Sequence, residues 1–155
     1  MSEKPPPKDA YFEDFEVGHK MTTHGRTITE ADIGAFAGLS GDHHPIHTDQ
    51  VYASQQFYGQ RVAHGLLGLS LATGLAMGLG ILDQSMIAFR DLTCKFSKPI
   101  FIGDTIYAEL LITSLKLMPR LGGGLVKLAV KLFNQDGDVV QTGTWSVLSR
   151  SRTPE

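Results

Sequence analysis

The sequence predicts one α+β domain in which a curved antiparallel sheet packs on a single long helix. Three observations carry that prediction. The chain has 155 residues and a mass of 16.9 kDa, inside the usual range for one domain and short of two. The run from Gly65 to Leu82 holds no charged residue across 18 positions. Four stretches of alternating apolar and polar residues follow that run. Helix first and antiparallel strands after is an α+β order.

Composition narrows the class further. The chain is 42% hydrophobic and 19% charged, which excludes collagen-like and intrinsically disordered sequences. A chain of this length hides roughly 70% of its unfolded surface, so it needs neither disulfides nor metal to fold. Its net charge of −2 comes with no basic run, which argues against a nucleic-acid partner. The single cysteine, Cys94, cannot form an internal disulfide and fits a reducing compartment.

Residues 1–10 carry Pro5-Pro6-Pro7 among charges and no apolar core of the signal-peptide kind. They read as a loose tail of an unexported, cytoplasmic protein, ahead of a domain over residues 11–150. Residues 149–155 read as a second frayed end. Tyr11 to Gly18 mixes aromatics and acids before a glycine, a lead-in turn. His19 to Ile28 alternates weakly and reads as a strand, its His19 and His24 solvated. Thr29-Glu-Ala-Asp32 opens a helix with a capping-box pattern, and Ile33, Phe36 and Ala37 continue it to Gly38, Ser40 and Gly41. Residues 42–47 read as an irregular loop, because Pro45 disfavours helix at His44. A further short helix is expected over 48–56.

The apolar run Gly65–Leu82 sits at the lower edge of a membrane span, and Gly74 and Gly78 form a GxxxG. Five glycines weaken its hydrophobicity and no basic flank marks an inside end. It therefore reads as a buried helix, apolar on all sides, with no membrane partner. The strands are expected at 85–101, 105–114, 125–133 and 139–148. Asp136-Gly137 is the tight turn of the last pair, and Gly122-Gly123-Gly124 a looser one before it.

The chemistry concentrates in Ser40-Gly41-Asp42-His43-His44-Pro45-Ile46-His47. Asp42 and His47, five apart in a loop stiffened by Pro45, can converge on one water, and carboxylate with imidazole is the usual equipment for moving protons near neutral pH. Val62-Ala63-His64-Gly65 leads straight into the long helix. At a helix start the unpaired N–H groups and the positive end of the dipole favour developing negative charge. An acid–base pair beside such a start suits proton chemistry next to a thioester carbonyl. A zinc site built from Asp42, His43, His44 and His47 is the alternative. Adjacent loop histidines seldom face one ion and no cysteine joins them, so no metal is expected.

Phe36-Ala-Gly-Leu-Ser-Gly-Asp42-His-His-Pro-Ile-His47, then Ala53, then His64-Gly65 resembles the MaoC-like dehydratase or (R)-specific enoyl-CoA hydratase family. The lead-in YFEDFEVG and Phe96-Ser-Lys-Pro-Ile-Phe-Ile-Gly-Asp104 extend the resemblance over about residues 11 to 105. It implies a hot-dog fold, a catalytic pair of Asp42 and His47, and Gly65 N–H as the oxyanion donor. Asp42 would deprotonate a water attacking the β-carbon of a 2-enoyl-CoA, and His47 would deliver a proton to the α-carbon, giving the (3R)-hydroxyacyl product. No cofactor is implied beyond the coenzyme A of the substrate, and the family pairs edge strands into a homodimer or larger assembly. Thr73 falls where relatives carry a small hydroxyl near the substrate; a hydroxyl bonded to its own helix is the alternative. His64 stands beside the substrate position and reads as a hydrogen-bonded residue rather than a proton carrier. One departure matters: the family usually reads Asp-x-Asn-Pro, and here His44 precedes Pro45. Either His44 ties the loop as Asn does, or it alters substrate choice. The rival activities are an acyl-CoA thioesterase and a non-catalytic acyl-binding subunit.

Overall fold

The computed structural model describes residues 5–153. Six strands and four α-helices follow one another as β1 (Lys20–Thr22), β2 (Arg26–Thr27), α1 (Glu30–Ser40), α2 (Pro45–Thr48), α3 (Gln50–Ser54), α4 (Gly65–Met77), β3 (Met86–Phe96), β4 (Thr105–Met118), β5 (Gly123–Phe133) and β6 (Val139–Arg150). The sheet order is β1-β4-β5-β6-β3, with β2 also on β4, and every pairing is antiparallel. The helix-on-curved-sheet expectation holds: α4 contributes Leu67, Ala72, Leu75 and Ala76 to one core with Ile106, Leu110, Val130, Leu132, Trp145 and Val147 of the sheet. This is the hot-dog arrangement.

Several boundaries move, each for a local reason. The expected strand 19–28 breaks into β1 and β2 because the Thr23 hydroxyl accepts the Ala108 N–H at 2.9 Å, replacing a ladder bond. His19 is buried, not solvated; its Nδ1 accepts the Glu16 N–H at 3.3 Å. Pro45 opens helix α2 rather than preventing one, since the first helical position needs no N–H and favours the proline φ. The long helix stops at Met77 instead of Leu82. Gly80 turns with φ +70°, and Ile81 bonds back to Ala10.

That last bond corrects the tail. Asp9 and Ala10 donate their N–H groups to Gly80 and Ile81 at 2.8 and 3.0 Å, and Ala10 is fully buried. Residues 1–4 of the expected tail lie outside the described residues. The second frayed end is corrected likewise: β6 runs to Arg150, Ser149 is fully buried, and Arg152 pairs with Asp14 at 2.6 Å. Residues 154–155 are not described.

The strand expected over 85–101 ends at Phe96. Residues 97–101 leave the sheet and cross to the segment before α4, where Ala63 N–H donates to Ile100 O at 2.8 Å and Val62 bridges Phe101. Arg61 fastens the other side, reaching Glu30 at 2.5 Å and Gln50 at 3.0 Å. Helices α1–α3 are thereby held over the N-terminus of α4. No described helix is long and apolar enough to cross a membrane. Nor is α4 buried on all sides: Leu66, Ser70 and Gly74 form an exposed stripe.

Candidate active site

The loop after α1 is built by small, local bonds. Thr29 accepts the Asp32 N–H and Asp32 accepts the Thr29 N–H, so the capping box fixes where α1 starts. Gly41 ends α1 in the left-handed region with φ +79°, a conformation that glycine adopts without strain. The chain then turns through Asp42, whose Oδ1 accepts the His44 N–H at 3.2 Å. His44 caps α2 by accepting the Ile46 N–H on Nδ1 at 3.1 Å. The residue that departs from the family pattern therefore ties the loop, as the first of its two readings expected.

His47, in the short helix α2, donates from Nδ1 to the Val62 carbonyl at 2.6 Å. A carbonyl can only accept, so Nδ1 carries the proton and Nε2 of the neutral ring is a free base. His64 donates from Nε2 to the Asp42 carbonyl at 2.9 Å, and its ring stacks on His47 with centroids 3.8 Å apart. One buried imidazole thus touches both members of the expected pair. One ligand-type atom from each of Asp42, His47 and His64 lies within 4.8 Å of the others.

The charges are set by these contacts. The His44 N–H holds the Asp42 carboxyl below the usual carboxylate range, aided by the neighbouring His47 and His64 rings. Burial pushes the His47 imidazole below its ordinary value, against the opposing pull of the Val62 carbonyl. Near neutral pH the arrangement is a carboxylate beside a neutral imidazole.

A cleft of about 380 Å³ adjoins this pair, lined by His47, Gly65, Tyr58, Phe96, Lys98 and Gln141 among others. Asp42 is exposed and lies beside the cleft rather than in its lining. Gly65 is the first residue of α4, so its N–H has no intrahelical acceptor. A Cβ on Gly65 would sit 2.8 Å from the Phe96 ring; only glycine brings the backbone this close.

The structure brings together Asp42, His47, His64 and Gly65, and leaves Thr73 out. Its hydroxyl donates to the Ser70 carbonyl at 2.6 Å, the alternative weighed for it. Eight residues along α4 put it about 12 Å from Gly65, and it does not line the cleft. His64 likewise lies beneath His47, outside the cleft lining, and supports the pair rather than facing substrate. His43 and His44 are exposed. His47 Nδ1 and His64 Nε2 are already engaged by the Val62 and Asp42 carbonyls, and the two rings lie stacked with their planes 26° apart.

Comparison with known proteins gives one family. The MaoC-like domain matches residues 14–123. The protein MaoC of Klebsiella aerogenes is 41% identical over 101 residues, 64% of this chain; the chain spans 30% of that longer protein. An (R)-specific enoyl-CoA hydratase of Aeromonas caviae is 32% identical over 128 residues, covering 83% of this chain and 90% of the relative. Among solved structures, the monoamine oxidase regulatory protein from Archaeoglobus fulgius superposes with a TM-score of 0.88 at 33% identity. That superposition covers 97% of this chain and all of the other.

Proposed function

The chain belongs to the MaoC-like domain family, and from that premise we propose that it is a hydro-lyase adding water reversibly to a 2-enoyl-CoA to give a (3R)-hydroxyacyl-CoA. The observation that carries the reading is the His47 tautomer. With Nδ1–H spent on Val62, Nε2 is a free base next to an ionised carboxylate and a cleft.

In this reading Asp42 orients a water and His47 Nε2 takes one of its protons as the oxygen bonds to the β-carbon. The thioester oxygen gains enolate charge, which Gly65 N–H holds at the start of α4. The imidazolium, steadied by the Val62 carbonyl and Asp42, returns its proton to the α-carbon. One O–H bond and the π bond between the α- and β-carbons break, a C–O and a C–H bond form, and water is added without net proton change. A single imidazole performs both transfers, where the sequence reading divided them between Asp42 and His47. Both bonds form on the face presented to His47, so addition is syn. The steps call on no metal, flavin or nicotinamide.

We place the protein in the cytoplasm as a homodimer acting on free coenzyme A thioesters. Incubation with crotonyl-CoA tests the activity. Loss of the conjugated enoyl absorbance without thiol release is expected. Thiol release would mark a thioesterase, and neither signal would mark a binding subunit.

A further inference from the structure

Gln141 belongs to no sequence motif, yet it is the buried polar side chain of the sheet that reaches the start of α4. It lies on β6 with only 5% of its surface exposed and lines the cleft. Its Nε2 donates to the Gly65 carbonyl at 2.9 Å, and the Cys94 thiol faces its Oε1 at 3.9 Å. Gly68, one turn along α4, is bare where this amide passes: a Cβ there would stand 2.5 Å from Nε2 and 2.7 Å from Ile100. The helix has given up a side chain at the point where the amide reaches it.

We propose that Gln141 is a positioning residue that locks Gly65 so that its N–H stays aimed at the thioester oxygen. The proposal rests on the hydratase reading above. Glycine is the residue with the most backbone freedom, and Gly65 sits in the first turn of its helix, where N–H groups lack intrahelical bonds. His64, the residue before it, makes no side-chain cap bond to steady that turn. Phe96 presses on one side of Gly65, and Gln141 holds its carbonyl from the sheet. An oxyanion donor is effective only when it is already in place as charge develops. Displacement of such a group by about 1 Å can cost on the order of 10²-fold in rate. The sheet thereby fixes the helix end that does the chemistry.

Two variants approach the same contact from opposite sides. Gln141→Met keeps the length and removes the donor; Gly68→Ala leaves Gln141 in place and pushes its amide away. Each is expected to lower kcat on crotonyl-CoA at least about tenfold with KM changed less than threefold. The double variant should be little worse than either single one. The direct readout is the red shift of a conjugated probe, hexa-2,4-dienoyl-CoA, bound to the His47→Gln protein so that it is not hydrated. Polarisation of the carbonyl by Gly65 should shift its absorbance, and adding Gln141→Met or Gly68→Ala should abolish the shift while the probe still binds. A shift retained in both variants overturns the role of Gln141 alone. No shift in the His47→Gln parent overturns the oxyanion role of Gly65, and this proposal with it. If Gln141→Met does not fold by circular dichroism, Gly68→Ala decides the matter by the same readout.

Discussion

His47 reaches the cleft as a base because a backbone carbonyl fifteen residues later takes its other proton, and that contact fixes how substitutions there should behave. Asp42→Asn and His47→Gln each keep approximate shape; the first loses the carboxylate that orients the water and steadies the imidazolium, the second the base that moves its proton. Each should cut kcat by about 10²–10⁴-fold, the usual scale for general acid–base groups. Because both act on one water, the double variant should fall far short of the product of the two losses. Near-normal kcat in Asp42→Asn would sink the mechanism. His44→Asn is the control: asparagine is itself a good cap, so α2 keeps its start and most activity should remain. The pH profile follows from the same contacts. His47 must be neutral, and burial lowers its pKa, so kcat/KM should stay level as pH drops past the ordinary imidazole value of about 6.5. It should then fall on the acid side as the ring takes a proton; an acid limb centred above 6.5 contradicts the assignment. Chelator should leave kcat unchanged, and elemental analysis finding about one metal per chain, lost together with activity, would revive the histidine cluster as a metal site. The residues of the pair were legible because their spacing is local. The Val62 carbonyl was not, since a backbone group leaves no mark in a sequence. Gln141 was not either, because a lone amide on an alternating strand looks like an outward position until the register places it inward.

Elements were legible where periodicity was strong and misread where a single residue decided. The four long strands were all expected, and β4, β5 and β6 extend past the expected bounds because their ladders continue into the turns. The Asp136-Gly137 turn was readable as such: Asn134 Oδ1 accepts the N–H groups of Asp136 and Asp138, both at 3.0 Å. Helix α2 was missed because Pro45 was weighed for what it forbids before it and not for what it favours at its own position. The early end of α4 was missed because Gly80 marks a turn only once its positive φ is seen. At the start of α4 the element itself makes a prediction. Gly65→Ala adds a methyl group 2.8 Å from the Phe96 ring, which must swing aside or push the first turn away. Overpacking of this kind costs about 1–3 kcal/mol, and Phe96 is half-exposed, so the stability loss should fall at the low end. The kcat loss should be far larger than that stability change implies, because the N–H moves with the turn. A normal kcat in a folded Gly65→Ala protein would remove Gly65 as the donor.

At the scale of the whole molecule the sheet is unfinished on one side. Strand β3 pairs with β6 along its length and has no partner on its other edge among the described residues. It carries Ile87, Leu92 and Phe96 at 44%, 39% and 52% exposure, too apolar for an edge left to water. Long apolar edges of this kind invite pairing with another strand. At the opposite end of the sheet β1 is only three residues long, a poor template. The exposed stripe of Leu66, Ser70 and Gly74 on α4 adds uncharged surface, and Leu66 and Phe96 both line the cleft. A twofold pairing through β3 would cover the edge and bring a second chain close to each site. The protein is therefore expected to sediment as a dimer, twice 16.9 kDa, at micromolar concentration. Replacing Ile87 and Leu92 together with lysine should shift it to monomer, because the two ammonium groups of one chain would face those of the other across the twofold axis. Neither side chain belongs to the buried core, so the monomer should keep its fold by circular dichroism. Its hydratase activity should fall with dissociation and recover with protein concentration. A wild-type chain that sediments as a stable monomer would overturn the edge assignment, and a dimer indifferent to both lysines would move the interface elsewhere.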